Sequence, residues 1–401
     1  MSVWRVSLGY LEIMLFLVFG VGCASINSKN PEVRIKSAHR IEDQEQLENL
    51  ALRSPFHDVR EIAVQKLTND PVLVNVALGD SNGNIRKKAV QRIADPRLLT
   101  GIALHSADSD VRFETLSRLV DPVTLFSVAL NDMWPLNRMT ALERISDAGL
   151  IAKIIVQSQD SRIRIRAISV CEDQALLEQV VRADTVQDVR LAALKRITDQ
   201  NILGRLFFDL TDQELLLVAV NALMSKDILA QEKVQNKLGR VFLTTTSQQM
   251  RLTILPKLTD FAVLLQPRAQ LMMAQLVIDC GMQSTTSDMM KKLVDPEALV
   301  LLASNAQQRE ICEHAVRKLS DSACLFKVAL TAPDGYIRQL AVFKLEDPEF
   351  LARILQQSKD FHIRKVAAGK TTDATVLSIA LNDENAEVRQ EVKKRLHVLG
   401  K

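Results

Sequence analysis

Histidines are the first side chains to consider, because general acid–base catalysis and metal binding both draw on them. The nearest approach to a cluster is His105 with Asp108 and Asp110 in one predicted loop. A metal site needs several converging ligands, and the other histidines are scattered without ligand spacing. The sequence has no HExxH, GxSxG, P-loop or GxGxxG motif. We therefore expect no metal, no cofactor and no catalytic residue.

The four cysteines that follow Cys23 are the next candidates for chemistry. Cys171 occupies an apolar position of a predicted helix, so we interpret it as a core residue, and Cys280 stands alone. Cys312 and Cys324 lie in one predicted hairpin but out of register across its turn. Disulfides need Cα atoms within about 7 Å of each other, so we expect no bridge between them.

An arginine that returns at a fixed spacing is the strongest chemical signal, since a guanidinium either forms ion pairs or binds anions. Steps of 26 residues predominate, two steps of 35 interrupt them, and the series defines fourteen units over 31–401. Leu216, Thr286 and Cys312 stand at three of these positions. The others are Arg34, Arg60, Arg86, Arg112, Arg138, Arg164, Arg190, Arg251, Arg338, Arg364 and Arg389.

The elements that must position these arginines are two short helices per unit. With the arginine as position 0, positions −1, +3, +4 and +7 are mostly apolar, which predicts an amphipathic helix, called helix A here. An Asp-Pro turn such as Asp121-Pro122 often follows. Asp favours the N-cap and Pro the first residue of a helix, so a helix B is predicted there. One hairpin cannot bury its apolar face alone, but a stack can.

The units resemble the HEAT-repeat family, especially the short HEAT-like units first described in phycobilin lyases. Their motif, an acidic residue, two positions, then Val-Arg-x-x-Ala, stands here as Asp160, Ile163-Arg164 and Ala167, with Ile for Val. The resemblance implies an all-α fold, a right-handed α-solenoid of about fourteen two-helix repeats, mostly of 26 residues. It is unspecific for function. Because some HEAT-like proteins are lyases or DNA glycosylases, an enzyme is one alternative.

Position 0 lies inside the apolar arc of helix A, so the arginine is predicted to point into the stack and to need a partner. We predict that the aspartate nine residues on is this partner and that the pairs form a ladder. The alternative is a basic stripe open to anions. The predicted partners are Asp43, Asp95, Asp121, Asp147, Asp173, Asp199, Asp260, Asp295, Asp321 and Asp347.

A second basic column lies at position +6, in the last turn of helix A. Cations there complement the helix dipole by about 0.3–1 kcal/mol each. The alternative is a line of cations for phospholipid head groups, lipopolysaccharide or another acidic polymer. The column is Arg40, Lys66, Arg92, Arg118, Arg144, Arg196, Lys257, Lys292, Lys318, Lys344, Lys370 and Arg395.

Some apolar residues of helices B lie off the expected buried stripe: Val74, Phe126, Leu265, Val300 and Phe326. The resemblance places helices B on a concave face. These residues are predicted either to be buried between layers or to form an apolar groove for a partner helix or peptide.

Residues 226–285 hold two units that are nine residues longer, and extended second helices are predicted at 231–243 and 267–282. A tolerated insertion and a docking or dimerisation feature both account for them.

The first 22 residues have the pattern of an export signal, with Arg5 before a short uncharged stretch at 13–22 that is too short to span a bilayer. Gly20-Val21-Gly22-Cys23 resembles the lipobox of bacterial lipoproteins, which implies cleavage before Cys23 and lipid attachment to it. An uncleaved anchor is the alternative. We expect a short tether at 23–30 and the solenoid at 31–401. Ala24 favours the outer membrane facing the periplasm, if the cell has one.

The composition bears on the partner. Net charge is +3 and aromatic residues make up 4% of the chain, which argues against nucleic-acid binding. We predict a non-enzymatic scaffold that binds envelope proteins. The alternative is a binding module for lipid, lipopolysaccharide or another anionic glycan, through the basic column or the apolar groove.

Overall fold

The computed structural model describes residues 25–281 and 283–400. Two compact units divide the chain, residues 1–197 (unit 1) and 198–401 (unit 2), and each is described by itself. Helices and the turns between them account for the described residues, which contain no β-strand. Fourteen helices A and thirteen second elements are found there. The predicted all-α fold of stacked hairpins is confirmed.

Unit 1 alternates helices A and B along the chain. Its helices A are α1 (Pro31–Ala38), α3 (His57–Lys66), α5 (Gly83–Arg92), α7 (Ser109–Leu116), α9 (Pro135–Glu143), α11 (Ser161–Val170) and α13 (Gln187–Arg196). Its helices B are α2 (Gln44–Arg53), α4 (Asp70–Gly79), α6 (Leu99–His105), α8 (Pro122–Asn131), α10 (Ala148–Gln157) and α12 (Gln174–Ala183), and a 3-10 helix (Pro96–Leu98) precedes α6.

Unit 2 begins with a helix B and ends with a helix A. Its helices A are α15 (Gln213–Ala222), α18 (Gln248–Ile254, followed by the 3-10 helix Leu255–Lys257), α21 (Ser284–Lys292), α23 (Arg309–Lys318), α25 (Gly335–Lys344), α27 (Phe361–Lys370) and α29 (Ala386–Val398). The others are α14 (Gln200–Asp209), α16 (Lys226–Leu229), α17 (Glu232–Thr244), α19 (Phe261–Leu264), α20 (Pro267–Cys280), α22 (Pro296–Asn305), α24 (Ser322–Thr331), α26 (Pro348–Gln357) and α28 (Ala374–Ala380).

The helical spacing read from the sequence produces the core. Val59, Ala63 and Val64 of α3 are at most 1% exposed, as is Leu67 just after it. In unit 1 each helix A packs against the next helix A, and α2, α4, α6, α8 and α10 pack in the same order. The stack therefore has two edges. We call the turns from helix B to the next helix A the loop edge, and the turns from helix A to helix B the cap edge.

The segment predicted as a tether is packed from Ile26 onward. Ile26 is buried with Ala38, Val59 and Ile62. Arg34 Nη1 donates to the carbonyl of Lys29 at 3.0 Å. The described part of residues 23–30 is thus fixed to the first hairpin. Cys23, the predicted lipid attachment site, lies outside the described residues.

The two longer units contain α17 and α20 where extended helices were predicted, and a one-turn helix, α16 or α19, precedes each. Position 239 of α17 requires glycine, because a Cβ there would lie only 2.9 Å from a methyl group of Val263 in α19. The packing in this region is therefore close. None of the described helices has both the length and the apolar character needed to span a membrane.

Candidate functional site

The repeated arginine is buried and paired, but with a different aspartate from the one predicted. Arg112 donates from Nε and Nη2 to Asp132 at 2.7 and 3.0 Å, and from Nη1 to the carbonyl of Ser106 at 2.8 Å. Asp132 lies twenty residues on, in the turn that begins the next unit, and its side chain is 2% exposed. Each guanidinium thus joins the turn of its own unit to the turn of the next.

From Arg60 to Arg164 the carboxylate of these pairs alternates between two positions of the loop edge; Asp58, the partner of Arg34, lies 24 residues on, in the first turn of α3. The alternating carboxylate lies twenty residues after Arg60, Arg112 and Arg164, but twenty-two after Arg86 and Arg138. A Ser-x-Asp turn marks the second type, so a signal was present in the sequence. The pairs are Arg34–Asp58, Arg60–Asp80, Arg86–Asp108, Arg112–Asp132, Arg138–Asp160, Arg164–Asp184, Arg338–Asp360 and Arg364–Asp383. Arg190 and Arg389 donate to the carbonyls of Asp184 and Asp383 in their own turns.

The predicted pairing with the aspartate nine residues on is wrong. Side chains on a helix lean toward its N-terminus, so the arginine reaches the loop edge, while those aspartates lie at the cap edge. There they accept from backbone N–H groups of helix B, as Asp121 does from Thr124 at 2.9 Å. The N-caps are Asp43, Asp95, Asp121, Asp147, Asp173, Asp199, Asp260, Asp295, Asp321 and Asp347, with Asp95 capping the 3-10 helix.

The ion pairs keep the loop-edge carboxylates charged. The hydrogen bond from Arg86 lowers the pKa of Asp108, and that from Arg138 lowers the pKa of Asp160. Burial raises the pKa of Asp132, but its hydrogen bonds from Arg112 and the Trp134 N–H outweigh burial, so this pKa is lowered too. These groups therefore contribute to stability at neutral pH.

The +6 cations bind backbone of the preceding unit. Lys318 Nζ donates to the carbonyls of Met290 and Leu293 at 2.9 and 2.7 Å. The helix dipole that these cations complement is therefore that of the helix A in the preceding unit, and not that of their own helix. The same kind of contact is made by Lys66, Arg92, Arg118, Arg144, Arg196, Lys257, Lys344, Lys370 and Arg395. Arg40, in the first unit, is exposed.

Glutamines join neighbouring turns of the cap edge, a role that our reading of the sequence missed. Gln270 Nε2 donates to the carbonyls of Leu264 and Lys292, and its Oε1 accepts from the N–H groups of Val294 and Asp295 at 2.8 and 3.1 Å. Gln235 makes the equivalent four bonds. Glutamines at 200, 235 and 270 repeat with the longer step of 35, so the signal was available.

The predicted groove residues are mostly covered. Phe326 is buried and packs on Phe350 with ring centroids 5.2 Å apart, and Val300 is buried as well. Val74 and Phe126 are half-buried. The assignment of Phe326 as a binding residue is therefore wrong, because neighbouring side chains of its own stack cover it. Leu265 is exposed.

The remaining candidate chemistry is dispersed. Among the described residues, no three His, Cys, Asp or Glu side chains are grouped to hold a metal ion. The carboxylate of Asp108, the nearest acidic partner predicted for His105, forms an ion pair with Arg86. Cys171, Cys280, Cys312 and Cys324 are free thiols. Burial raises the pKa of the Cys324 thiol to about 11, which keeps it protonated and a poor nucleophile.

An exposed apolar surface lies at the cap edge of the two longer units and of the unit that follows them. We call Met224, Phe261, Leu265 and Val294 the cap-edge patch; they are between 54% and 72% exposed. Lys257 Nζ lies 3.8 Å from the Met224 sulfur, and Lys292 Nζ lies 5.9 Å from the centre of the Phe261 ring. These contacts and the glutamine bridges place Met224, Phe261 and Val294 at successive turns of one edge, and Leu265 lies one helical turn after Phe261.

Comparison with known proteins gives no match to a family model and none to a curated protein. Solved structures do match. A structure of Kap121p bound to Pho4p has 15% identity over 94% of this chain and 49% of its own, with a TM-score of 0.35. A condensin Cnd3-Cnd2 subcomplex of S. pombe has 14% identity over 98% and 70%, with a TM-score of 0.29. The chain spans about half of the Kap121p chain. At such identities and TM-scores, the fold assignment depends on the helices of this chain itself.

Proposed function

We propose that the protein is an exported, lipid-anchored scaffold that binds another protein through the cap-edge patch. One observation carries the proposal: Met224, Phe261, Leu265 and Val294 are large apolar side chains that are all exposed at one edge of neighbouring units. Contiguous exposed apolar patches mark interaction sites. No enzymatic step is needed for this role.

The chemistry of the patch indicates what it would bind. The ammonium group of Lys257 donates to the backbone carbonyls of Asn221 and Leu223. The ammonium group of Lys292 lies over the Phe261 ring. An apolar segment of a partner protein is therefore favoured over an acidic one. Binding should depend little on salt, because screening acts on charges and not on apolar contacts.

The alternative ligand, an anionic lipid or glycan held by the +6 column, is less well supported. The donors of most of these cations are already bonded to carbonyls of the preceding unit. An anion would have to displace those bonds, at a cost in the stability of the stack.

The anchor and the location in the cell belong to the same proposal. The lipobox-like Gly20–Cys23 supports lipid attachment at Cys23, and the outer membrane facing the periplasm remains the proposed site. Since Ile26 already packs on the first hairpin, the folded body would lie directly at the membrane.

A photoreactive amino acid at Val294, introduced in the native cell, tests the patch. We expect a covalent adduct with one protein, identified by mass spectrometry. Glu346 is the matched control, because it is exposed at the same position, +8, of a regular unit. Equal labelling from the two positions, or no adduct from Val294 and Phe261, would contradict the proposal.

A further inference from the structure

We infer that the loop edge of unit 1 faces the lipid bilayer, and that Met133, Trp134 and Leu136 insert into its interfacial region. These three residues are called the loop-edge tip. The inference rests on the proposed lipid anchor at Cys23 and adds a second point of membrane contact.

The position of the anchor follows from the packing of the first described residues. Arg34 Nη1 holds the carbonyls of Ser28 and Lys29 at 3.4 and 3.0 Å, and Ile26 is buried. Only two residues separate Ile26 from Cys23. At no more than about 3.6 Å per residue, Cys23 can lie no more than about 11 Å from Ile26, at the end of unit 1 where Arg34 holds the loop-edge carbonyls of Ser28 and Lys29.

The loop-edge tip lies on this same edge. Arg138 Nη1 donates to the carbonyls of Asp132 and Met133 at 2.7 and 3.3 Å, the contact that Arg34 makes with Ser28 and Lys29. Four ion pairs connect the unit of Arg34 to that of Arg138 in four steps along one edge. Neighbouring helices pack about 8–10 Å apart, so the tip lies roughly 30–40 Å from the anchor. Two contacts at that distance define an orientation.

The residues of the tip suit a lipid interface. Met133, Trp134 and Leu136 are 84%, 53% and 63% exposed. Single exposed apolar residues also stand beside other turns of this edge, such as Leu78 and Val156, but three lie together only at the tip among the described residues of unit 1. Tryptophan favours the head-group region, where its apolar ring and N–H are both satisfied. Four carboxylates of this edge, those of Asp80, Asp108, Asp132 and Asp160, are held by arginines of the stack.

The tip is also held in place before any contact. Asp132 accepts from the Trp134 N–H at 2.8 Å, and Asn137 Nδ2 donates to the carbonyl of Ser109 and to Asp132. A fixed turn loses little conformational entropy on binding. A tip of three side chains is small beside the roughly 800 Å² per partner of a stable protein interface. It suffices as a second membrane contact beside a lipid anchor.

Fluorescence of Trp134 tests the inference. The full chain carrying Trp4→Phe, extracted from membranes, has one tryptophan and is reconstituted into vesicles of phosphatidylethanolamine and phosphatidylglycerol. With lipids brominated high on the acyl chain, we expect quenching and a shift of the emission to shorter wavelength. The control chain also carries Trp134→Gln and Val123→Trp, which moves the probe to an exposed position of the cap edge. We expect no quenching there.

Flotation of the same vesicles reports the anchor separately. Flotation with an unquenched Trp134, or with equal quenching at position 123, overturns this inference and leaves the proposed anchor intact. Loss of both flotation and quenching overturns both. A photoreactive amino acid at Met133 in cells should give a lipid adduct. A stoichiometric protein adduct would assign the tip to a protein partner and overturn the membrane contact.

Discussion

Neighbouring hairpins are joined by different polar groups in two regions of the molecule. One region is the set of 26-residue repeats in residues 1–197, and the other is the pair of longer repeats within residues 198–401. In the regular units, a buried arginine such as Arg112 reaches a carboxylate of the next turn at the loop edge. In the longer units, the amides of Gln235 and Gln270 join backbone groups at the cap edge. Position 0 of these two units is Leu216 or Arg251, and Thr286 is position 0 of the unit that follows them.

The difference shows which part of the arginine's role is kept wherever position 0 is a polar residue. Arg251 still donates to the carbonyl of Thr245, and the hydroxyl of Thr286 donates to the carbonyl of Gly281. Arg251 and Thr286 thus keep the hydrogen bond to the turn of their own unit, although, in the described part of the chain, neither donates to a carboxylate of the next turn. Neutral amides then join the units, and the apolar cap-edge patch lies among them. We expect the two regions to respond differently to acid and to substitution.

Acid should have the largest effect, because it acts on several ion pairs at once. The pKa values of Asp58, Asp108 and Asp160 are lowered by their arginines. Their contribution is therefore complete above the unfolded pKa of about 3.9 and is lost as pH falls through the lower folded values. Below about pH 4, protection against hydrogen exchange should therefore be lost in α3–α11 before it is lost in α17–α20.

The amide bridges of the longer units carry no titrating group, so those helices are the internal control. Equal loss of protection in the two regions over this pH range would remove the distinction between charged and neutral joints.

Arg112→Ala should destabilise by about 3 kcal/mol, measured by urea unfolding, because it leaves the Asp132 carboxylate buried and unpaired. Arg97→Ala is the matched control. Arg97 pairs with Asp95 on the surface, where its side chain is 89% exposed, and its loss should not be measurable.

Substitution of two aspartates distinguishes the observed pairing of Arg112 with Asp132 from the predicted pairing with Asp121, nine residues after the arginine. Asp132→Asn should destabilise strongly, whereas Asp121→Asn should not, since asparagine is an equally good N-cap. If Arg112→Ala proves no worse than Arg97→Ala, the arginines do not hold the stack together.

Gln270→Leu should cost about 2 kcal/mol, because two N–H groups and two carbonyls lose their partners. Gln275→Leu in the same helix is the control, as its exposed amide reaches only Asp279. Thermal unfolding of the two variants provides the comparison, and similar midpoints would show that the bridge is dispensable.

The sequence by itself determined the local features of this protein. The period of 26, the apolar positions of helices A and the aspartate N-caps depend on residues within one hairpin, and helical spacing relates them directly. The inward direction of Arg112 was predictable on the same ground, because a helical wheel gives the angle of a side chain around the axis.

Only the tertiary structure decided which groups meet between hairpins. A wheel does not give the tilt of the arginine toward the N-terminus of its helix, which selects Asp132 over Asp121. Nor does it show that Lys318 binds the carbonyls of the preceding unit, or that Phe326 is covered while Phe261 is not. These contacts depend on the distance between stacked neighbours, which no spacing within one repeat contains.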